Sequence, residues 1–278
     1  MKNIYLAVLL FTSLFTSAQV VFERSLSDAF KKAKAQNKNV FIEYYNSDCS
    51  VCKRLGTLLK EDAEIISYYN SNFINYAINT YDEVSDAEKA FLKTANLHFD
   101  SVPVLLYFDK DKNFLHYSSG EINAEAVLNE AKKAALPQFN SLGLRAKYET
   151  GDRSIRTLYA YSTLLIVNRE DQKLKKVTQD LFESFDKSEL STKKSYLILK
   201  RVVKDSDNGF FKFWLDNLDQ LNGFESGENA GTEKSYLSRI VLIELTDPNI
   251  KKWGQTKKEK YKNYILKLKI VDDPNVFF

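Results

Sequence analysis

The chain has 278 residues, 44% of them hydrophobic and 28% charged, which suits two globular domains and excludes a disordered polymer. Its 40 basic residues against 37 acidic ones leave a formal charge of +3, without the large basic excess of a dedicated nucleic-acid binder. With only 2 cysteines and 2 histidines, a disulfide-stapled scaffold is excluded and little is left for a protein metal cage.

Lys2 gives the N-terminus a short positive start, Ile4 to Phe15 is mostly apolar, and Thr16-Ser17-Ala18 places a small residue before Gln19. This tripartite pattern reads as a secretory signal peptide over residues 1–18, with a retained amphipathic or buried helix as the plainer alternative. Removing it takes Lys2 away and leaves 39 basic against 37 acidic residues. The apolar run is short for a bilayer and no second run of spanning length follows, so no stable membrane span is expected. The expectation is an exported protein, periplasmic or extracellular.

Leu26, Ala29, Phe30 and Ala33 recur at helical spacing, with Lys31, Lys32 and Lys34 opposite. Asn39 to Tyr45 is rich in β-branched and aromatic residues, as in a buried strand. Asn46-Ser47-Asp48 is a turn and capping cluster, and helical spacing resumes with Leu55, Leu58 and Leu59. Cys49 and Cys52 therefore fall where a strand ends and a helix begins. Two randomly placed cysteines in such a chain would be three apart roughly once in 140 cases. The loop they close is too small to staple the fold. A helix N-terminus favours thiolate over thiol, so Cys49 is expected to be the accessible, activated sulfur. Cys52, one turn further in, is expected to be more buried and able to attack a mixed disulfide at Cys49. An inert pair and a soft-metal site are the competing readings. A single Met and the lack of a second Cys pair weigh against the metal.

Phe73 to Thr80 reads as a second strand, Asp86 to Ala95 as a helix, and Ser101 to Phe108 as a strand opened by Pro103. Asp109 to Asn113 makes a polar turn, Phe114 to Ser118 a partner strand, and Ala124 to Leu136 a closing helix. The expected order is βαβαββα preceded by one helix.

With Cys49-Ser50-Val51-Cys52-Lys53 after a strand, Val102-Pro103-Val104 opening another, and Gly120 ahead of the last helix, residues 20–136 resemble the thioredoxin superfamily, more closely its exported thioredoxin-like branch. The resemblance implies an α/β thioredoxin-like fold, a central mixed sheet flanked by helices. It also implies that Cys49 is the nucleophile, that Cys52 resolves, and that Pro103 is cis and packs against the pair. Glu43, six residues before Cys49, stands where the family places a buried acid that assists proton transfer. Read alone, Glu43 is equally compatible with a solvent-facing sheet edge, while a trans edge proline is the minor alternative at Pro103. Ser50-Val51 replaces the family's Gly-Pro, Asp48 its tryptophan, and Ala77 the lysine that faces the buried acid. His98 and His116 read as ordinary surface or half-buried side chains.

Pro137 ends the closing helix, and the remainder reads as helical over Phe139–Tyr148, Ile155–Val167, Leu174–Phe185, Lys194–Val203, Phe210–Leu221, Lys234–Leu245 and Lys257–Ile270. Breaks such as Asp205-Ser206-Asp207-Asn208-Gly209 separate them. Ile155, Leu158, Tyr159, Ser162 and Leu165-Ile166 form one helical stripe. The expectation is an all-α, repeat-like domain over 137–278, resembling tetratricopeptide repeats in layout only. The lysines from Lys251 to Lys269 read as a solvated helix face, or as a site for an anionic partner or membrane surface.

Two functions are thus expected to compete. One is an exported thiol–disulfide oxidoreductase acting on protein thiols or disulfides and exchanging electrons with a redox partner. The other is a redox-inert binding module or scaffold. The helical region is a candidate seat for a protein partner in either. No cofactor, metal or nucleic acid is expected.

Overall fold

The computed structural model describes residues 19–278, apart from 82, 83, 96, 98, 100 and 120. Residues 1–18, which read as a signal peptide in the sequence, lie outside the described residues, as do His98 and Gly120.

The chain divides into two compact units, residues up to 95 with 99–136, and residues 137–278 with the short stretch 96–98. The first is built from α1 (Leu26–Gln36), β1 (Asn39–Tyr45), α2 (Ser50–Glu61), α3 (Ala63–Asn72), β2 (Phe73–Asn79), α4 (Asp86–Thr94), β3 (Val104–Phe108), β4 (Phe114–Ser118) and α5 (Ala124–Ala135). Its four-stranded mixed sheet has the order β2-β1-β3-β4. β1 and β2 are parallel, from Asn39↔Phe73 to Tyr45↔Asn79. β3 runs antiparallel to both β1 and β4.

Alternation along the strands assigns the two faces. Phe41, Phe73, Leu105 and Tyr107 share a core with Leu55 and Leu59 of α2, Tyr69 of α3 and Val127 and Ala131 of α5. On the other face, Phe30 of α1 and Phe91 of α4 meet Phe108, with ring centroids 5.3 and 4.9 Å apart for the pairs Phe30–Phe91 and Phe91–Phe108. The segment before α1 is tied down as well: Val20 donates to the Leu59 carbonyl, and Phe22 bridges Asn75 in parallel.

The connection between β1 and β2 differs from expectation. Two helices, not one, separate β1 from β2. Asp62 ends α2 in an extended conformation, and its carboxylate accepts the Glu64 and Ile65 amides at 3.0 Å each, starting α3. An Asp cap so placed restarts a helix at a new angle while apolar residues continue on both sides, which hides the break from periodicity. β3 also starts at Val104, not Ser101.

The second unit holds α6 (Ser141–Glu149), α7 (Ile155–Val167), α8 (Asp171–Ser184), α9 (Lys193–Val202), α10 (Gly209–Asp216), α11 (Glu233–Glu244) and α12 (Gln255–Leu268), packed mainly on sequence neighbours. Trp214, Phe210, Phe211, Tyr196 and Tyr161 are buried there, and Trp214 Nε1 donates to Ser195 Oγ at 3.1 Å. α10 stops at Asp216, short of the expected Leu221, because Asn217 turns back onto the Phe213 carbonyl with both its amides. The α7 stripe is also rotated: Leu158, Ser162 and Leu165 are buried as expected, but with Thr157, Tyr161 and Leu164 in place of Ile155, Tyr159 and Ile166. The terminal lysines favour the solvated reading. Lys260 pairs with Asp207 at 2.6 Å and Lys267 with Asp216 at 2.8 Å, while Lys257 covers the Trp253 ring at 3.6 Å.

Candidate functional site

β1 delivers the chain to the C-terminal edge of the sheet, and Asn46–Asp48 turn it into α2. The Cys49 amide closes that turn on the Asn46 carbonyl at 3.2 Å. Cys49 itself, rather than the preceding Asn-Ser-Asp cluster, is the N-cap of α2. Its Sγ accepts the Cys52 amide N–H at 3.2 Å, where Ser, Thr or Asp would ordinarily present an oxygen. The positive end of the helix is thereby aimed at sulfur.

The two thiols are driven apart electrostatically. Cys49 is half-buried and held below the usual thiol value, chiefly by its hydrogen bond with Cys52, aided by the Cys52 and Val51 amides and the Lys53 charge. Cys52 is 3% exposed, and burial pushes it up to about 11. The outer sulfur is thus the readier of the two to ionise, while at neutral pH the inner one keeps its proton.

Pro103, the residue just before β3, reaches the same place. The Val102–Pro103 peptide is cis, Pro103 is buried, and the Cys49 thiol lies 3.7 Å from the Val102 carbonyl. The exposed Val51 stands between the cysteines.

Glu43 lies behind the pair on the core face of β1, between Ala77 and Leu105. It is 7% exposed, so the sheet-edge alternative is set aside. Desolvation pushes its carboxyl up to about 7, opposed by the charge of Lys60, and Glu43 in turn helps keep the Cys52 thiol protonated. Lys60 escaped notice in the sequence, although its place eight residues after Cys52, two helical turns along α2, was a usable signal. The other histidine stands apart. His116 Nε2 contacts Glu130 Oε2 at 2.5 Å and its ring stacks on Tyr107. Among the described residues no three His, Cys, Asp or Glu side chains converge in a way that could hold a metal ion.

A buried acid, a sulfur-capped helix and a cis-proline loop thus meet at one edge of a β2-β1-β3-β4 sheet. A family model described as a thioredoxin-like domain matches residues 26–135. This part of the chain is a thioredoxin-like domain. Three solved structures are similar to it. A Bacteroides thetaiotaomicron protein described as a candidate disulphide-isomerase is 22% identical, covering 42% of this chain and 93% of its own, with a TM-score of 0.36. A DsbH oxidoreductase is 15% identical over 49% of this chain and 94% of its own, with a TM-score of 0.37. A Thermus thermophilus thioredoxin is 10% identical over 49% and 99%, with a TM-score of 0.35. No curated protein matches the chain. Among the described residues no helix is long and apolar enough to cross a membrane.

Proposed function

We propose that the protein is an exported thiol–disulfide oxidoreductase acting on protein substrates through Cys49 and Cys52. The observation that carries this reading is the Cys49 sulfur capping α2, accessible and activated, with a buried protonated thiol one turn behind it. Export rests on the leader pattern of residues 1–18.

The geometry supports a two-step exchange. Cys49 thiolate attacks one sulfur of a substrate disulfide. That S–S bond breaks, and the far sulfur departs as a thiolate that takes a proton from water. Cys52 then gives its proton to Glu43 and attacks Cys49 Sγ, breaking the mixed disulfide and releasing the second substrate sulfur as a thiolate that is protonated from solvent. The substrate is reduced to a dithiol and the Cys49–Cys52 pair oxidised; the same steps in reverse oxidise a substrate dithiol. Pro103 and the Val102 carbonyl form the wall against which the substrate's sulfur is presented to Cys49.

The test is reduction of a fluorescent disulfide peptide by the dithiol form of the full chain. Cys49→Ser is expected to abolish turnover, and Cys52→Ala to stop after one mixed disulfide per molecule. If the wild-type protein reduces no disulfide and its own pair cannot be oxidised, the binding-module reading takes its place.

A further inference from the structure

A carboxylate as enclosed as Glu43 ordinarily has a partner, because an unpaired buried charge is costly. Glu43 makes no side-chain hydrogen bond among the described residues. Its strand neighbours on that face, Ala77 and Leu105, carry no charge. Any counter-charge that draws its proton off therefore has to come from the helical layer above. α2 crosses that layer, with Leu55 and Leu59 packed in the same core as Phe41, two residues before Glu43 on the same face. Cys52, Gly56 and Lys60 recur at four-residue spacing along α2, so they lie on one shallow stripe beside the Leu55–Leu59 contact.

Gly56 is the unusual member. Glycine inside a helix is destabilising relative to alanine, and close packing normally explains it. Close packing does not explain it here: a Cβ at Gly56 meets no atom within 4 Å. The stripe thus has a side-chain-free step between the inner thiol and an exposed lysine, on the helix covering a carboxylate that is buried without a partner.

We propose that Lys60 is a positioning residue for Glu43, and that the step at Gly56 is the opening through which its charge and water reach the carboxylate. Lys60 keeps part of the Glu43 population ionised at neutral pH, ready to take the Cys52 proton, and water at the opening carries that proton to solvent. The charge interaction between Lys60 and Glu43 supports the pairing. The other titratable groups facing Glu43 are Cys52 on the same helix, Tyr69 on α3 and Tyr107 on β3, with His116 of β4 and Glu130 of α5 further across the face.

The functional role rests on the oxidoreductase reading, but the electrostatic claim is testable without thiol chemistry. The Glu43 carboxyl is followed by carbon NMR across a pH titration of the full chain, in both wild-type and C49S/C52S backgrounds. Lys60→Met should raise the Glu43 midpoint by about half a pH unit or more, and Lys60→Arg should restore it. Gly56→Ala, which favours the helix, should also raise the midpoint by narrowing access to water. In the wild-type background, the pH profile of mixed-disulfide release should shift in parallel. An unchanged Glu43 midpoint in Lys60→Met overturns the proposal. A shifted midpoint in a protein that reduces no disulfide leaves the Lys60–Glu43 pairing standing and removes the oxidoreductase reading instead.

Discussion

At the scale of single residues, the site works by unequal environments for chemically identical groups. Cys49 and Cys52 differ only in where they stand on the first turn of α2, yet one is favoured as thiolate and the other pushed up to about 11. In the folded, reduced protein Cys49 is therefore expected to be alkylated much faster than Cys52, with its rate rising at a pH below that of an ordinary thiol. Mass spectrometry of partly alkylated protein measures this; equal rates would remove the assigned roles. Glu43 makes the second prediction, on stability. Folded Glu43 keeps its proton up to about 7, whereas an unfolded chain releases it near 4.5, so the folded state binds more protons between those values. Stability must then fall as pH rises through that window, by about 3 kcal/mol in full. Denaturant unfolding at about pH 4 and about pH 8 should show this loss in the wild-type protein and a flatter profile in Glu43→Gln.

At the scale of elements, short polar residues decide where helices start and how closely they approach. Asp62 separates α2 from α3 by bonding two otherwise orphaned amides. Asp62→Ala should cost about 1 kcal/mol in denaturant unfolding while the thiol chemistry persists, since Cys49 sits at the other end of α2. Gly209 has a different task at the start of α10. A Cβ there would stand 2.1 Å from the Phe182 ring, while its amide donates to Gln179 at 3.2 Å. In the sequence it reads as the end of a helix-breaking run; in the fold it lets α10 lie against α8. Gly209→Ala is expected to destabilise the second unit by about 1–3 kcal/mol through overpacking, measurable as a lower Tm.

At the scale of the whole molecule, the first unit contains Cys49, Cys52, Pro103 and Glu43 together with the core cluster of Phe41, Leu55, Tyr69 and Tyr107. We propose that residues 19–136 fold alone and keep the Cys49–Cys52 chemistry; circular dichroism and alkylation of that fragment test it, and an unfolded fragment would show one cooperative chain instead. The second unit contains no cysteine. Its proposed role is to hold or select a protein partner on the surface of the helical array. Cys52→Ala should leave Cys49 trapped in mixed disulfides with its natural substrates. The trapped set is expected to narrow or change when residues 137–278 are removed. An identical set would leave this unit without a part in substrate choice.

Much of this molecule was legible before any coordinates. The strands β1 and β2, the strand-to-helix position of Cys49 and Cys52, the proline just before β3 and the seven helices after Pro137 are all written in local pattern. Local pattern reports what a segment's own backbone and side chains favour: periodicity, β-branching, caps and breaks. It has no access to what other segments place around a residue. Whether Glu43 is buried, which face of α7 turns inward, and why Gly209 must be glycine depended on β3, the neighbouring helices and Phe182. The partner that Lys60 offers Glu43 is of the same kind, since the two are seventeen positions apart in sequence and on different layers of the fold. Burial and the field it sets up are sums over the whole packed neighbourhood, and only the tertiary structure assembles that neighbourhood.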